Sequence, residues 1–153
     1  MTRTLNAKRE LVFKAFTDEN MMKEWWGPHG FTNPICKMDV QPNGKWKICM
    51  DAPQFPDHWC SGIFLEIVSP ERLVFTSNLF MDQNDKLVED EKDCVKTGIK
   101  AINSITLEDL NEKTKLTLNV RVIKLADEFK GAVSGMEEGW SQSFERLNTL
   151  VEK

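Results

Sequence analysis

Two histidines, four cysteines and a dense set of aromatic side chains are the residues of this chain whose types could support chemistry. His29 follows Gly27-Pro28 and His58 precedes Trp59, so each is expected in a loop or at a strand end. Imidazole titrates near neutrality and is the usual general base. No serine, cysteine or carboxylate is spaced to complete a nucleophilic pair with either one, so the sequence names no catalytic residue. Cys36, Cys49, Cys60 and Cys94 are separated by 13, 11 and 34 positions, with no Cys-x-x-Cys and no His-Cys spacing of a metal site. They read as unpaired thiols of a reducing compartment. No metal and no cofactor is expected.

The aromatics carry the stronger signal. Five Trp and nine Phe occur with no Tyr. A buried Tyr would bring a hydroxyl that needs a partner, whereas Phe brings none. Trp46, Phe64, Phe75, Trp140 and Phe144 fall at inward positions of their elements, with Trp26 on the second helix and Phe31 close behind it. Met50 and Met136 are adaptable wall material. These nine residues are the candidate lining of an apolar ligand cavity, and the same pattern also fits a solid core.

Periodicity gives the strands and helices that carry these residues. After a short first strand, Val12, Phe13 and Phe16 form a helical stripe over Lys8 to Phe16, with Asn6 expected as its N-cap. Asp18 is expected to cap a second short helix whose apolar face is Met21, Met22, Trp25 and Trp26. Gly27-Pro28 ends it, because a proline disfavours helical geometry in the residue before it. Cys36, Met38 and Val40 then alternate with Lys37, Asp39 and Gln41. Beyond the turn Pro42-Asn43-Gly44, Trp46, Ile48 and Met50 alternate with Lys45, Lys47 and Cys49. This is a hairpin with one wet and one buried face. Ala52 to Asp57, with two prolines, reads as a loop. Strands are expected at Trp59 to Val68, Arg72 to Asn78, Lys100 to Asp109 and Thr114 to Ile123. Phe129, Val133, Met136, Trp140, Phe144, Leu147 and Val151 recur at three- and four-residue steps, the stripe of a long amphipathic helix. Ser134-x-x-Glu137 resembles a capping box at its start. Gly139 sits at the edge of the stripe, where a neighbouring loop could approach closely.

Consecutive strands with short turns imply an antiparallel sheet. Such a sheet buries one long helix by curling around it. The fold class is therefore α+β: a curved antiparallel sheet wrapped around a C-terminal helix, with two short helices after the first strand.

At 153 residues the chain is expected to be one domain, 1–153. No apolar run reaches the roughly 20 residues of a membrane span, and residues 1–6 have no apolar core of a signal peptide. A cytoplasmic location is expected. The net charge of −4 argues against nucleic acid, because phosphate affinity comes from clustered Lys and Arg. That whole charge resides between Asp82 and Asp93, where six acids meet two lysines. The surrounding stretch Leu79 to Ile99 reads as two ragged strand extensions around a disordered acidic tip. The tip is either a solvated loop or a dock for a basic partner.

The ordered set Leu11-Val12-Phe13-Lys14-Ala15-Phe16-Thr17-Asp18, Trp25-Trp26-Gly27-Pro28 with Phe31, Met38-Asp39-Val40 with Gly44-x-Trp46, and Gly62-x-Phe64-x-Glu66-Ile67-Val68-x-Pro70-Glu71-Arg72-Leu73-Val74-Phe75-Thr76 resembles the activator-of-Hsp90-ATPase-like family. Glu137-Glu138-Gly139-Trp140-Ser141 and Leu147 extend the match over nearly the whole chain. The family belongs to the START-like superfamily. The resemblance implies the helix-grip fold and a cavity between sheet and helix that takes small apolar molecules. The stretch 79–99 is longer and more acidic than the family implies. The expected function is binding of a small hydrophobic or aromatic ligand. A cyclase- or hydrolase-like enzyme in the same cavity and an Hsp90-activator-like interaction module are the alternatives. A homodimer is left open.

Overall fold

The computed structural model describes residues 1–152, with the side chains of Pro56, Glu128 and Ala132 outside the description. The chain runs β1 (Thr2–Leu5), α1 (Arg9–Thr17), α2 (Glu19–Trp25), β2 (Thr32–Met38), β3 (Lys45–Ala52), β4 (Phe55–Val68), β5 (Arg72–Met81), β6 (Leu87–Val88), β7 (Lys96–Asp109), β8 (Thr114–Leu125) and α3 (Lys130–Val151). All pairings are antiparallel, in the order β1-β8-β7-β5-β4-β3-β2, with β6 added to β5. The sheet curves around α3, which is the helix-grip fold.

α1 buries Val12, Phe13, Ala15 and Phe16, one face of its two turns. Asp18 breaks the path: its carboxylate accepts from the N–H groups of Asn20 (2.9 Å) and Met21 (3.1 Å) and so starts α2. The Trp25 indole N–H then donates to the Ala15 carbonyl at 2.9 Å and staples the two helices together. Asn6 does not cap α1. Its N–H donates to Asn148 Oδ1 and its amide to Glu152, tying the start of the chain to the last turn of α3, and the N-cap position of α1 is Lys8, which makes no side-chain cap hydrogen bond. Ser134 does not open α3 either. The helix starts four residues earlier, and the Ser134 hydroxyl donates back to the Gly131 carbonyl.

In the sheet, Trp46, Ile48 and Met50 do face the helix, through their partners Gly62, Cys60 and His58. Three details depart from the sequence expectation. Val40 lies beyond the end of β2 and is exposed. Cys49, on the convex face, is nonetheless buried. The expected loop 52–57 is a tight turn, because β4 already begins at Phe55 and Ala52 pairs with it. Gly62 is where the sheet closes most tightly. A Cβ there would stand 1.8 Å from the Thr76 carbonyl oxygen and 2.8 Å from the Trp46 indole nitrogen. The indole crosses that bare backbone to donate to Thr76 O at 3.0 Å.

The acidic stretch is built as strand extensions. β5 runs on to Met81 and β7 starts at Lys96, so only 82–95 lies between them. That tip is folded back: Asp82 accepts from the N–H groups of Asn84 and Lys86, β6 pairs with Phe80 and Met81, and Glu91–Asp93 form a single 3-10 turn.

Burial along α3 is uneven. Phe144, Leu147 and Val151 are sealed in the core, while Met136 and Trp140 are half-buried and Val133 is 36% exposed. The helix is gripped at its C-terminal half. Its N-terminal half stands off the sheet, and the space between them is the site described next.

Candidate functional site: an apolar cleft between sheet and helix

Three elements bound a cleft of about 270 Å³. The helix supplies Met136, Gly139, Trp140 and Ser143. The loop after α2 supplies Trp26, Gly27 and Pro28. The sheet supplies Met50 from β3, Cys60 from β4, Ser77, Asn78 and Leu79 from β5, and Ile99 from β7. Space survives there because small residues face one another across it: Gly139 and Ser143 on the helix, Ser77 and Cys60 on the sheet. An engineered cavity of roughly 150 Å³ holds benzene. By proportion this cleft has room for roughly a two-ring molecule.

Of the nine residues expected to line a cavity, the structure brings four to the cleft: Trp26, Met50, Met136 and Trp140. Trp46, Phe64 and Phe75 close against Phe16, Met22, Met38 and Leu73 with no room for a water between them, so they are core. Phe144 is core as well, packed at 5.4 Å under Trp140. Phe31 points elsewhere, stacked on Phe55 at 6.4 Å and edge-on to His58. For Trp46, Phe64 and Phe75, the three on strands, an inward position on a curved sheet says that a side chain is covered, and only the stand-off of the helix says by what.

The wall nearest the core is a chain of edge-to-face rings. Trp26 meets Trp25 at 5.7 Å, Trp46 at 5.6 Å and Trp140 at 5.3 Å. Such pairs contribute about 0.5–1.5 kcal/mol beyond burial and fix ring orientation. The opposite wall depends on Arg146, which sequence reasoning missed. Its guanidinium Nη1 donates to the carbonyls of Trp26 (3.0 Å), Gly27 (2.8 Å) and Pro28 (3.0 Å), and Nη2 donates to Glu24 O at 3.2 Å. These are the orphan carbonyls of the α2 C-terminus and of the loop behind it, where a cation is favoured. Burial lowers the pKa of Arg146, with Glu24 opposing. Gly27 needs to be glycine: its φ of +91° is left-handed, and an added Cβ would meet Met50 Cε at 3.0 Å. Gly139 and Arg146 lie seven residues apart, about two turns, on one flank of α3. That pairing of a small residue with an arginine was the available sequence signal. Pro28 does approach Gly139, at ordinary contact distance (3.9 Å) for an added Cβ.

Among the described residues, the ionisable group in the lining is Cys60. Burial pushes its thiol up to about 12, against an opposing backbone hydrogen bond from Asn78. It stays protonated at neutral pH and is a poor nucleophile. All four cysteines are free thiols, and burial holds Cys36 at about 12 as well. The histidines are committed elsewhere. His29 pairs with Glu145 at 2.8 Å on the surface, and His58 Nδ1–H donates to the Phe55 carbonyl at 2.9 Å. Among the described residues, no three His, Cys, Asp or Glu side chains gather as a metal site.

A second, larger hollow of about 710 Å³ lies on the convex face under the acidic tip. Lys37 stands opposite Lys47, and Lys100 opposite Lys124, an arrangement that is unfavourable for like charges. Glu89, Asp90 and Glu91 lie over them, Glu89 paired with Lys47, and Asp85 pairs with Lys96 at 2.8 Å. Among the described residues, the lining holds five lysines and, with Glu19 and Asp39, five acids. This hollow is charge-compensated by the chain itself, whereas the concave cleft is apolar.

A curved antiparallel sheet gripping one long helix, with an apolar cleft under the helix, defines the START-like class of fold. The chain belongs to the family of activator of Hsp90 ATPase homolog 1-like proteins, whose sequence pattern matches residues 6–152. A protein of Chromobacterium violaceum is similar at 27% identity and a TM-score of 0.76, over 100% of this chain and 95% of that one. A protein of Nitrosomonas europaea is similar at 24% identity with a TM-score of 0.76, covering 99% and 92%. A solution structure from Arthrobacter aurescens shares 22% identity and a TM-score of 0.75, covering 98% and 83%. No curated protein matches the sequence. Among the described residues no helix is long and apolar enough to cross a membrane.

Proposed function

We propose that residues 1–153 form one binding domain for a small apolar or aromatic molecule, held in the cleft between α3 and the sheet. One observation carries the reading: a 270 Å³ space walled by Trp26, Trp140, Met50, Met136, Leu79 and Ile99, whose ionisable lining group is a thiol held neutral. Apolar walls release water when an apolar guest enters, and a few polar groups suffice to orient it. A protonated Cys60 and histidines engaged outside the cleft favour binding over nucleophilic chemistry. Free, mostly buried thiols fit a protein of the cytoplasm.

The test has two arms. Native mass spectrometry of the protein purified from its own host is expected to show a co-purifying neutral molecule of about one to three rings. Titration with apolar aromatic probes is expected to change tryptophan emission, because Trp140 and Trp26 form the wall. Trp140→Ala should weaken that binding at least several-fold. Full response to the probes in Trp140→Ala, or no binding by any probe, would refute the reading.

A further inference from the structure

Asn103 sits on the helix-facing side of β7, opposite Phe75 of β5, and is only 1% exposed. Its Nδ2 donates to Ser77 Oγ at 3.0 Å and to the Phe75 carbonyl at 3.4 Å. Its Oδ1 is buried and has no partner among the described residues. The amide orientation is set by Phe75 O, which can only accept, so the NH₂ end must face it. Ser77 Oγ lies on that same side and is therefore used as an acceptor. A serine hydroxyl has one proton to donate. Among the described residues the Ser77 proton has no acceptor, and Ser77 lines the cleft.

A buried amide with an unpaired oxygen is destabilising, and an apolar residue of similar size would suit the dry floor of the sheet better. The structure keeps Asn103 there, and what it does is hold Ser77 as an acceptor on one side, leaving its proton free for a guest. Among the described residues, the rest of the lining has no cation to meet a negative charge. Arg146, which braces the loop wall of the cleft, spends its donors on four backbone carbonyls on the loop side. A carboxylate guest would thus be buried without a counter-charge, which is costly.

We infer that the cleft selects neutral apolar molecules bearing one hydrogen-bond acceptor, such as an aryl ketone, ester or ether oxygen, with Ser77 as the donor and Asn103 as the residue that positions it. The inference rests on the proposed ligand-binding reading and names the chemical class of the guest.

Three matched probes separate the possibilities: 2-acetylnaphthalene, its alkene isostere 2-isopropenylnaphthalene, and the anion 2-naphthoate. Isothermal titration calorimetry on the full chain is expected to rank ketone above alkene by about 3–10-fold, the worth of one net hydrogen bond, with naphthoate weakest. Ser77→Ala should bring the ketone down to the affinity of the alkene, removing the difference between the two. Asn103→Leu should likewise abolish the preference while the melting temperature stays level or rises, an outcome that a merely structural role for Asn103 would not produce. Equal ketone and alkene affinities in the wild type, or a preference that survives Ser77→Ala, overturn this inference while the binding reading stands. No binding by any of the three overturns both.

Discussion

Arg146 offers the most direct test of how the cleft is built. Replacing it by Met keeps much of the aliphatic stem and removes the donors. Nη1 has two hydrogens for three carbonyls and Nη2 serves a fourth, so about three effective hydrogen bonds are lost. Bonds from a charged donor contribute about 1.5–3 kcal/mol each when dry. Arg146 is only half-buried, so water can reach the freed carbonyls and the lower end of the range applies with a further discount. The helix-end charge effect adds about 0.3–1 kcal/mol. The expected loss is about 2–4 kcal/mol, or about 4–16 °C in melting temperature for a chain of this size. Urea unfolding followed by tryptophan emission measures it, with the slope checking that the transition stays two-state. Arg146→Lys should recover less than half, because one ammonium on a flexible stem cannot span carbonyls from Glu24 to Pro28. The loop wall would also loosen, so apolar probes should bind more weakly to Arg146→Met even at temperatures where it is folded. A Met variant within about 0.5 kcal/mol of wild type would refute the reasoning, since it would mean that water serves these carbonyls as well as the guanidinium does.

Gly62→Ala should destabilise by about 1–3 kcal/mol or more, because its Cβ meets backbone at Thr76 that cannot step aside; urea unfolding at wild-type midpoint would contradict the close approach. Cys36 and Cys60 have folded pKa values raised to about 12, so their contribution to stability is complete below about pH 9 and is lost as pH rises from there toward 12. With no Tyr to titrate in that window, a Cys36→Ala/Cys60→Ala variant should show a flatter alkaline limb of stability than wild type, and parallel limbs would count against it. The same thiols should resist iodoacetamide at pH 8 in the folded protein and react once it is unfolded in urea. The acidic tip, Asp82 to Asp93, is expected to exchange its amide hydrogens much faster than Leu116 to Val122, since its anchors are a two-residue strand and exposed ion pairs that contribute only about 0–1 kcal/mol each; equal protection would show that the tip is part of the core.

Much of the fold was legible because its signals are local. Asp18 stands where a cap is needed and accepts two N–H groups. The two-residue alternation at Trp46, Ile48 and Met50 matches the faces they take. The stripe from Phe144 to Val151 is the gripped part of α3. The misses are also physical. Asn6 and Ser134 have the chemistry of caps, but each found a different partner: Asn6 the end of α3, Ser134 the carbonyl three residues back. The prolines near residue 55 suggested a loop, yet the hairpin there is tight. Phe31, Trp46, Phe64, Phe75 and Phe144 were legible as buried or aromatic, and not as remote from the cleft.

The element order, the antiparallel curved sheet around one helix and the family could be read from the chain alone, because period, capping chemistry and turn residues act within a few positions of one another. Trp26, Met50, Met136 and Trp140 could be read only as apolar candidates among nine, and the packed molecule sets where the space lies. Arg146 reaches back more than a hundred positions to the end of α2, Asn103 reaches across strands to Ser77, and α3 lifts from the sheet at one end only. A cavity is a place that side chains from distant segments fail to fill, and no segment carries the record of what the others leave open.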